Sequence, residues 1–302
     1  MRTMYEDALS AYRRAGRIAA EVRRQASILV RPGVSVTEIC NRLENEIRSL
    51  GAQPAFPINV CVNEIAAHDT ASVDDNREIS NGSLVKVDIG VHVEGYLVDT
   101  AVTISLNPEL DHLQNVAEEA LQKALKSIRP KARAGEIGGV IESTIESYGL
   151  IPVRNLSGHQ ISRFTVHTGK SIPNVRTSLG PKLGLGEVYA IEPFVTTGDA
   201  AGEIEGHSRA EIYRIVKERS MEKRDARELL TSISRGYKTL PFARRWLTRY
   251  LEKDRLHDIL NELISSKCVA PFPVLVERTQ KPVAQAEHTV LVEENGCEIL
   301  TD

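Results

Sequence analysis

The stretch LVKVDIGVHVEGYLVDTAVTI, residues 84–104, carries two acids, Asp88 and Asp99, within otherwise apolar segments. Branched apolar residues alternate with other residues on both sides of Glu94 and Gly95, which is typical of two antiparallel strands joined by a two-residue turn. A carboxylate buried in such a hairpin costs free energy unless a partner compensates its charge. The stretch therefore predicts a β-hairpin in which the acids need a partner.

The pairing of this hairpin predicts where the two acids lie. Counting outward from the turn places Asp88 opposite Ala101 and Asp99 opposite Gly90. Because side chains alternate along a strand, both acids then project from one face as diagonal neighbours, about 7 to 8 Å apart. Two such carboxylates raise each other's pKa, and a cation between them would relieve the repulsion. This interpretation assumes that no bulge interrupts the hairpin; otherwise one acid could face solvent or cap a turn.

Composition indicates an ordinary globular protein without a strong preference for nucleic acid. The 302 residues are 41% hydrophobic and 26% charged, and the formal net charge of -3 leaves no global basic field. The four cysteines contain no CxxC pair, so neither a disulfide framework nor a thiolate zinc site is indicated. The N-terminal residues read as an amphipathic helix rather than a signal peptide, and no apolar run approaches the roughly 20 residues of a membrane span. We expect a cytoplasmic protein with no membrane association.

The remaining pattern predicts helix pairs followed by strands, twice along the chain. Residues 5–50 contain two helical patterns, which Pro32 and Gly33 separate, and Thr37 with neighbouring acids can start the second helix. A second helix pair is predicted in 108–148. Its interruption, RPKARAGEI with breaks at Pro130 and Gly135, echoes the RPGVSVTEI of the first pair and hints at an internal duplication. Strand patterns fill four later segments, which are 155–174, 186–198, 271–279 and 282–294. The order predicts an α+β fold with a helix-covered sheet.

Residues 208–267 interrupt the strands with a charge-dense segment whose pattern is almost entirely helical. We interpret it as a helical insertion. Its basic and aromatic residues could contact a polyanion such as ribosomal RNA, or they could form a solvated helix face with the tryptophan packed beneath it. These residues are Arg244, Arg245, Trp246, Arg249 and Tyr250.

Four further segments place a metal-competent side chain in a short β-type stretch. They carry His159 in SGHQI, His167 in VHTGKSIPN, Glu192 in AIEPF and Glu287 in AEHTV. Taken singly, each residue could be a hydrogen-bonded core residue or a surface residue. Together with the hairpin acids, the oxygen and imidazole ligands suit divalent Mn, Fe, Co or Zn, and more than four ligands favour a pair of ions.

These residues resemble the ligand pattern of the pita-bread metallopeptidases. That family has the ordered pattern Asp, Asp, His, Glu, Glu, which this chain matches with Asp88 in VDIG, Asp99 in VDT, His159, Glu192 and Glu287. The resemblance implies a pseudo-two-fold antiparallel sheet covered by helices and two divalent metal ions. It implies that the two aspartates bind the first metal, that Asp99 and Glu287 bridge both metals, and that His159 and Glu192 complete the second. Glu192 would also be the general base.

Within this family the chain looks like the type II methionine aminopeptidases. The likeness rests on AFPINVCVNEIAAH ending at His68, on the segment around His167, and on the insertion before the last ligand. Because the chain begins almost directly with the catalytic part, it resembles the archaeal form. The resemblance implies a single catalytic domain over 1–302, with 208–267 as an insertion subdomain.

The same resemblance implies four substrate-binding residues. His68 would lie beside the scissile amide and take part in catalysis, and His167 would bind the carbonyl side. Phe56 and Phe272 would form the wall of the pocket for the methionine side chain, with Phe272 at a position where eukaryotic relatives carry tyrosine.

Two more residues, Cys61 and His207, could line the same pocket. Plain packing of Cys61 and a surface or structural role of His207 are equally compatible with the sequence.

The function implied is removal of the initiator methionine from nascent proteins by attack of a metal-activated hydroxide. The implied partners are the N-terminal methionine of nascent chains and, transiently, the ribosome, and the implied state is a monomer. Two alternatives stay open. Prolidases and aminopeptidases P share the five ligands, but usually carry a separate N-terminal domain and lack the insertion. A non-catalytic relative that binds RNA or protein is the other, although all five ligands are present here.

Overall fold

The computed structural model describes residues 2–178 and 180–302, beginning with two helices and a sheet. The elements of this first half are α1 (Arg2–Leu29), α2 (Val36–Ser49), β1 (Gln53–Pro54), β2 (Asn59–Val62), β3 (Ile65–Ala67), β4 (Leu84–Val93) and β5 (Tyr96–Ser105). Strand β4 is central, because β5 pairs along its whole length while β1 and β2 pair with it as well. All these pairings are antiparallel.

The hairpin of β4 and β5 has the predicted register. Asp88 pairs with Ala101 and Gly90 pairs with Asp99, without a bulge. The two turn residues, Glu94 and Gly95, have φ of 53° and 88°, as a turn that matches the twist of the flanking strands requires. The prediction that both acids share one face of the hairpin is confirmed.

Helix α2 begins at a different cap from the one expected. The side chain of Ser35, not Thr37, accepts a hydrogen bond from the backbone N–H of Glu38 at 3.1 Å. Thr37 already lies inside the helix, and its hydroxyl donates to the backbone oxygen of Asp75 at 3.3 Å. The residue with extended backbone just before the first turn is the one that can cap the helix.

The second half repeats the order of helix pair and strands. A short 3-10 helix (Pro108–Leu110) precedes α3 (Asp111–Leu125), α4 (Ala134–Glu146), β6 (Ile151–Pro152), β7 (Ser157–Ile161), β8 (Ser171–Pro173), β9 (Val188–Ile191) and β10 (Phe194–Thr196). Gly135 does not break a helix as expected, since it lies in the first turn of α4. A Cβ at this position would approach the backbone oxygen of Thr177 to 2.1 Å, so the glycine permits close packing instead.

The next part of the chain contains the charge-dense segment and its flanking strands. Its elements are β11 (Ile204–Gly206), β12 (Ile212–Ile215), α5 (Arg224–Tyr237), β13 (Phe242–Ala243), a 3-10 helix (Arg244–Arg249), α6 (Lys253–Ser265), β14 (Val269–Phe272) and β15 (Leu275–Glu277). The expectation of an almost entirely helical segment is therefore wrong, because β12 pairs with both β13 and β14. The sequence IYRI, in which three of four residues are β-branched or aromatic, forms this strand within a highly charged context. The segment has its own hydrophobic cluster, which runs from Tyr213 to Val269.

The last strands join the two halves beside the hairpin. They are β16 (Val283–Gln285), β17 (His288–Glu293) and β18 (Gly296–Ile299), and the sheet of the second half has the order β18-β17-β9-β7-β8. An isolated antiparallel bridge links Ala101 of β5 to Glu287, which lies between β16 and β17. The hydroxyl of Thr100 also donates to the backbone oxygen of Glu287 at 2.7 Å. The fold thus brings the fifth predicted ligand directly beside the hairpin acids.

Each helix pair buries its own hydrophobic core against the larger sheet of its half. One core combines α1 and α2 with the first sheet, and the other combines α3 and α4 with the strands of the second half. No helix in the described ranges is long and apolar enough to cross a bilayer.

Candidate active site

The predicted ligands converge where the two halves meet. Ligand atoms of Asp99, His159 and Glu287 all lie within 4.8 Å of one another, and all three side chains are buried. The imidazole Nε2 of His159 lies 3.5 Å from Oδ2 of Asp99 and 3.4 Å from Oε1 of Glu192. Asp88 stands diagonally across the hairpin from Asp99 on the same face, and both line the same cavity. The five residues therefore form one cluster.

Strand pairing and hydrogen bonds position these side chains. Asp99 is held through its backbone, because Thr289 Oγ1 accepts from its N–H and donates to its carbonyl oxygen, both at 2.7 Å. His159 lies in β7 opposite Ala190 of β9, so Glu192 follows directly after the neighbouring strand. The amide Nε2 of Gln285 donates to Oε2 of Glu287 at 3.1 Å.

Burial and the neighbouring acids make ionisation of the carboxyl groups in this cluster unfavourable. Burial, followed by the charge of Asp99, raises the pKa of Asp88 well above its usual value. Burial raises the pKa of Asp99 to about 7. Burial and the neighbouring aspartates likewise raise the pKa values of Glu192 and Glu287 far above the ordinary range. Such crowding of carboxylates is relieved by a bound cation.

The cluster fits a divalent metal by its unmet hydrogen-bonding capacity as well. Three buried carboxylate oxygens have no hydrogen-bond partner among the described residues: Oδ1 of Asp88, Oδ1 of Asp99 and Oε1 of Glu287. Buried polar atoms of native proteins are rarely left unpaired, so each such atom requires an explanation. Four carboxylates and one imidazole suit divalent Mn, Fe, Co or Zn, whereas a soft metal would prefer thiolate ligands.

His68 lies near the cluster in an unusual backbone conformation. Its φ of 63° falls in the left-handed region, which a non-glycine residue adopts only when the surroundings impose it. Its Nδ1 lies 3.3 Å from the backbone oxygen of Pro273, and its ring meets Phe272 edge-on at a centroid distance of 5.3 Å. Burial lowers the pKa of His68 to about 4, so the ring is neutral near pH 7.

A carbonyl oxygen can only accept a hydrogen bond, so the contact with Pro273 requires the proton of the neutral ring on Nδ1. Nε2 of His68 is then a free acceptor.

His167 packs against the cluster from another side. Its ring lies 4.1 Å from that of His159, centroid to centroid. Burial, with the charges of His159 and Arg214, lowers the pKa of His167 to about 3. The ring is therefore neutral at physiological pH and can donate a hydrogen bond to a substrate oxygen.

A cavity of about 230 Å³ opens directly onto the cluster. Its lining includes Asp88, Asp99, His159, Glu192, His68 and His167, and both predicted wall residues, Phe56 and Phe272. The ring of Phe56 fits beside the hairpin because Gly90 has no side chain, since a Cβ there would approach the ring to 2.3 Å. All nine predicted site residues thus lie in or beside one pocket.

The cavity also contains residues that the sequence did not reveal. Ile212 of β12 and Pro241 come from the charge-dense segment, while Leu156 and Val166 come from the second half. Asn59 also lines the cavity, paired with Asp88 across β2 and β4, and its buried Oδ1 has no partner in the described structure. The helical interpretation of residues 208–267 hides Ile212, although the β-branched and aromatic residues of IYRI favour a strand. A lone asparagine in a strand carries no such signal.

Neither of the two additional candidates lines this cavity. Cys61 is buried in β2, and its thiol lies 3.9 Å from the backbone oxygen of Asp69, so it is a packing residue. His207 is exposed, and its Nδ1 accepts a hydrogen bond from the backbone N–H of Arg209 at 3.2 Å.

Taken together, a buried cluster of acids and a histidine beside an apolar-walled pocket defines a metal-dependent hydrolase. Comparison with known proteins places the chain within that class. The profile of metallopeptidase family M24 matches residues 10–294. The chain belongs to this family, and its two helix-and-sheet halves are those of the pita-bread fold.

Several similar proteins from archaea and bacteria are named methionine aminopeptidase. A methionine aminopeptidase of Methanocaldococcus jannaschii is 44% identical over 287 residues, which cover 95% of this chain and 96% of that protein. A methionine aminopeptidase of Methanothermobacter thermautotrophicus is 41% identical over 297 residues, covering 97% and 99%. The crystal structure of a methionine aminopeptidase from Thermotoga maritima matches with a TM-score of 0.67 at 26% identity, covering 96% of this chain and 94% of that one.

Proposed function

We propose that this chain is a methionine aminopeptidase, a metallo-exopeptidase that removes the initiator methionine from proteins. The carrying observation is the cluster of Asp99, His159 and Glu287 at the floor of a pocket with aromatic and aliphatic walls. Methionine has a linear apolar side chain, which suits such walls. Full-length similarity to archaeal methionine aminopeptidases supports the assignment, and we infer the type II, archaeal form.

Five residues would hold the metal, and we propose two divalent ions from the set Co, Mn, Fe and Zn. Asp88 and Asp99 would bind one ion and His159 and Glu192 the other, with Asp99 and Glu287 shared between them. When bound, divalent metal lowers the pKa of water toward neutrality and polarises a carbonyl group.

The chain's own residues would bind the substrate and move protons. Glu192 lines the cavity, so its carboxylate can take a proton from the attacking water and return it to the leaving amine. Nε2 of His68, a free acceptor, can bind the N–H of the scissile amide. His167 can donate to the carbonyl oxygen, where negative charge develops, and a donor so placed contributes about 3 kcal/mol to transition-state stabilisation. Phe56 and Phe272 exclude water from the methionine side chain.

Hydrolysis of Met-Ala-Ser and of an X-Pro peptide, by metal-free and metal-restored protein, tests the proposal. We expect release of methionine only after metal is restored. Cleavage before proline with Met-Ala-Ser untouched would identify a prolidase-like enzyme instead. Failure both to bind divalent metal and to cleave either peptide would identify a non-catalytic binding protein.

The role of His68 has its own test. The change His68→Ala should lower turnover at least about tenfold, because it removes a group that contacts the substrate. Metal content, measured by atomic emission, should stay near that of the unchanged protein, since His68 is not a proposed ligand. Loss of metal in this variant would contradict the role.

We also propose that the enzyme is a cytoplasmic monomer that meets its nascent substrates at the ribosome. Residues 208–267 would act as an insertion subdomain that serves this contact. The support is a groove of about 420 Å³ that Arg48, Lys238 and Arg249 line, with no acid among its described lining residues; Arg245 lines it too, but Glu44 balances its charge.

A positive groove attracts RNA phosphates in a salt-dependent way. Arg249→Glu should weaken co-sedimentation with ribosomes at low salt, while peptide turnover stays unchanged. Co-sedimentation that is insensitive to both the substitution and salt would refute the contact.

A further inference from the structure

The residue after His68 is a fully buried acid with two cationic partners. Asp69 is 0% exposed, and its Oδ2 accepts from Nη1 of Arg77 at 2.6 Å and from Nη2 of Arg209 at 2.8 Å. Its backbone oxygen accepts from the N–H of Val60 at 2.8 Å. A buried carboxylate held by two guanidinium groups has a fixed position, because each group donates a charge-assisted hydrogen bond to it from a different segment.

This anchoring acts directly on the unusual backbone of His68. A residue at φ of 63° relaxes toward a more populated conformation unless its neighbours hold it. On the N-terminal side, Ala67 is held by β3, where it pairs with Leu275. On the C-terminal side, the holding group is Asp69. The two arginines therefore restrain the chain just beyond the strained residue.

Arg209 also reaches His68 by a second route. The backbone N–H of Val274 donates to the backbone oxygen of Arg209 at 3.0 Å, and the preceding Pro273 offers its oxygen to Nδ1 of His68 at 3.3 Å. The main chain of Arg209 thus secures the acceptor of the His68 ring, while its side chain secures Asp69. Arg209 therefore restrains both the backbone that follows His68 and the carbonyl group that binds its imidazole.

We propose that Arg209 is a positioning residue for His68, acting through Asp69. It holds the His68 backbone in the left-handed conformation and keeps the ring at Pro273, so that Nε2 is the free acceptor. Arg77 also holds Asp69, but its other bonds, to Asp75 and to the backbone oxygen of Thr70, stay within the loop that follows Asp69, so Arg209 is the contact that links Asp69 to a different segment. The inference rests on the proposed catalytic role of His68. Since Arg209 lies just before β12, it also ties the histidine to the segment that supplies Ile212 to the pocket wall.

The test replaces only the side chain of Arg209, in the metal-loaded full-length enzyme. Arg209→Met removes the contact with Asp69 but keeps the backbone bond to Val274. We expect kcat for Met-Ala-Ser to fall about tenfold to a hundredfold, since misplacing a catalytic group by about 1 Å has an effect of this size. KM and metal content should stay within about twofold of the unchanged protein, because neither the pocket wall nor a ligand is altered.

A matched control is Arg278→Met. Arg278 lies just past β15, and its Nη1 pairs with Oε2 of Glu203 at 2.5 Å, so it is also an arginine paired with an acid of a neighbouring segment. It makes none of the contacts that hold His68. This variant should keep the kcat of the unchanged protein. A comparable fall in both variants would show a general effect of losing an ion pair, and would overturn the proposal.

A double-mutant cycle decides whether Arg209 acts through His68. In a His68→Ala background, Arg209→Met should cause no further loss of kcat, since the group it positions is absent. Losses that multiply would overturn the positioning role. If His68→Ala alone keeps full turnover, the proposed role of His68 fails instead, so the two failures are distinguishable.

Should Arg209→Met fold poorly, Arg209→Lys retains one charged donor for Asp69. It should recover part of kcat, and a kcat no better than that of Arg209→Met would count against the proposal.

Discussion

Asp99 lies at the centre of the acidic cluster. Its carboxylate is buried, lies on the same face of the hairpin as Asp88, and has a ligand atom within 4.8 Å of those of His159 and Glu287. Its pKa of about 7 in the absence of a cation means that protons occupy this cluster at and below neutral pH. The protons and a metal ion compete for the same oxygens, so the two binding equilibria are linked.

We therefore predict that divalent metal binds more weakly as the pH falls. The sign follows from the raised pKa values: at pH 8 the Asp99 carboxylate is ionised and ready for a cation, whereas at pH 6 a proton must first leave. For each proton displaced, the affinity should fall up to about tenfold per pH unit below the pKa. Titration calorimetry with Mn²⁺ at pH 8, 7 and 6, in two buffers of different ionisation enthalpy, measures both affinity and proton release. An affinity that is constant over this range would contradict the prediction.

At this scale the sequence predicted the residues that carry charge, but not those that support them. The pairing register of Asp88 and Asp99 followed from the two-residue turn. Because side chains alternate between the two faces of a strand, the register also fixes the face on which each acid lies. Asn59 could not be predicted, because its place beside Asp88 depends on a pairing between β2 and β4 that local pattern does not specify. The same holds for Arg209, which reaches Asp69 across 140 residues of sequence.

The decisive contact at the level of elements is that between β5 and the chain from β16 into β17. Threonine side chains make it: Thr289 bonds reciprocally to the backbone of Asp99, and Thr100 donates to the backbone oxygen of Glu287. Strand patterns predicted both segments but not their adjacency. Two strands that are nearly 200 residues apart have no local signal for pairing. Only the expectation that their acids bind a common metal site suggested that they are close.

We predict that Thr289→Val destabilises the protein and weakens its metal site together. Valine keeps the shape of threonine but leaves the buried N–H of Asp99 without its acceptor, which should lower the free energy of unfolding by about 1 to 3 kcal/mol. Metal affinity should also fall, since Asp99 loses its backbone anchor. Urea unfolding and metal titration measure the two effects.

The matched control for this change is Thr196→Val in β10. Thr196 is equally buried, and its hydroxyl donates to the backbone oxygen of Pro282 at 2.9 Å, but it touches no predicted ligand. The Thr196→Val variant should be less stable than the unchanged protein, while its metal affinity stays the same. If both variants lose metal equally, the reciprocal bond of Thr289 has no specific effect on the site.

At the scale of the whole molecule, Glu44 is a second buried acid, besides Asp69, that attaches the charge-dense segment to the first half. Glu44 of α2 is 3% exposed, accepts from Nε1 of Trp246 at 2.7 Å, and is paired with Arg245. Trp246 stacks on Tyr237, and Tyr237 stacks on Phe242, which follows the pocket residue Pro241. A line of contacts therefore runs from α2 to the pocket wall. The sequence suggested that Trp246 could pack beneath the helices, and its partner in the first half, Glu44, carried no pattern that marked it.

We predict that Glu44→Gln loosens this attachment and raises KM for Met-Ala-Ser without changing metal affinity. Glutamine keeps the size of the side chain, but leaves the buried guanidinium of Arg245 without its counter-charge. Breaking a buried ion pair in this way typically lowers the free energy of unfolding by about 3 to 5 kcal/mol. Glu38→Gln is the control, because Glu38 lies on the same helix and its pair with Arg42 is exposed, so its loss should matter by less than about 1 kcal/mol. Unfolding in urea, KM and metal content together decide the outcome. A loss of stability with KM unchanged would mean that Glu44 supports the fold but not the pocket wall, whereas a loss of metal would mean that the contacts of α2 extend to the metal ligands.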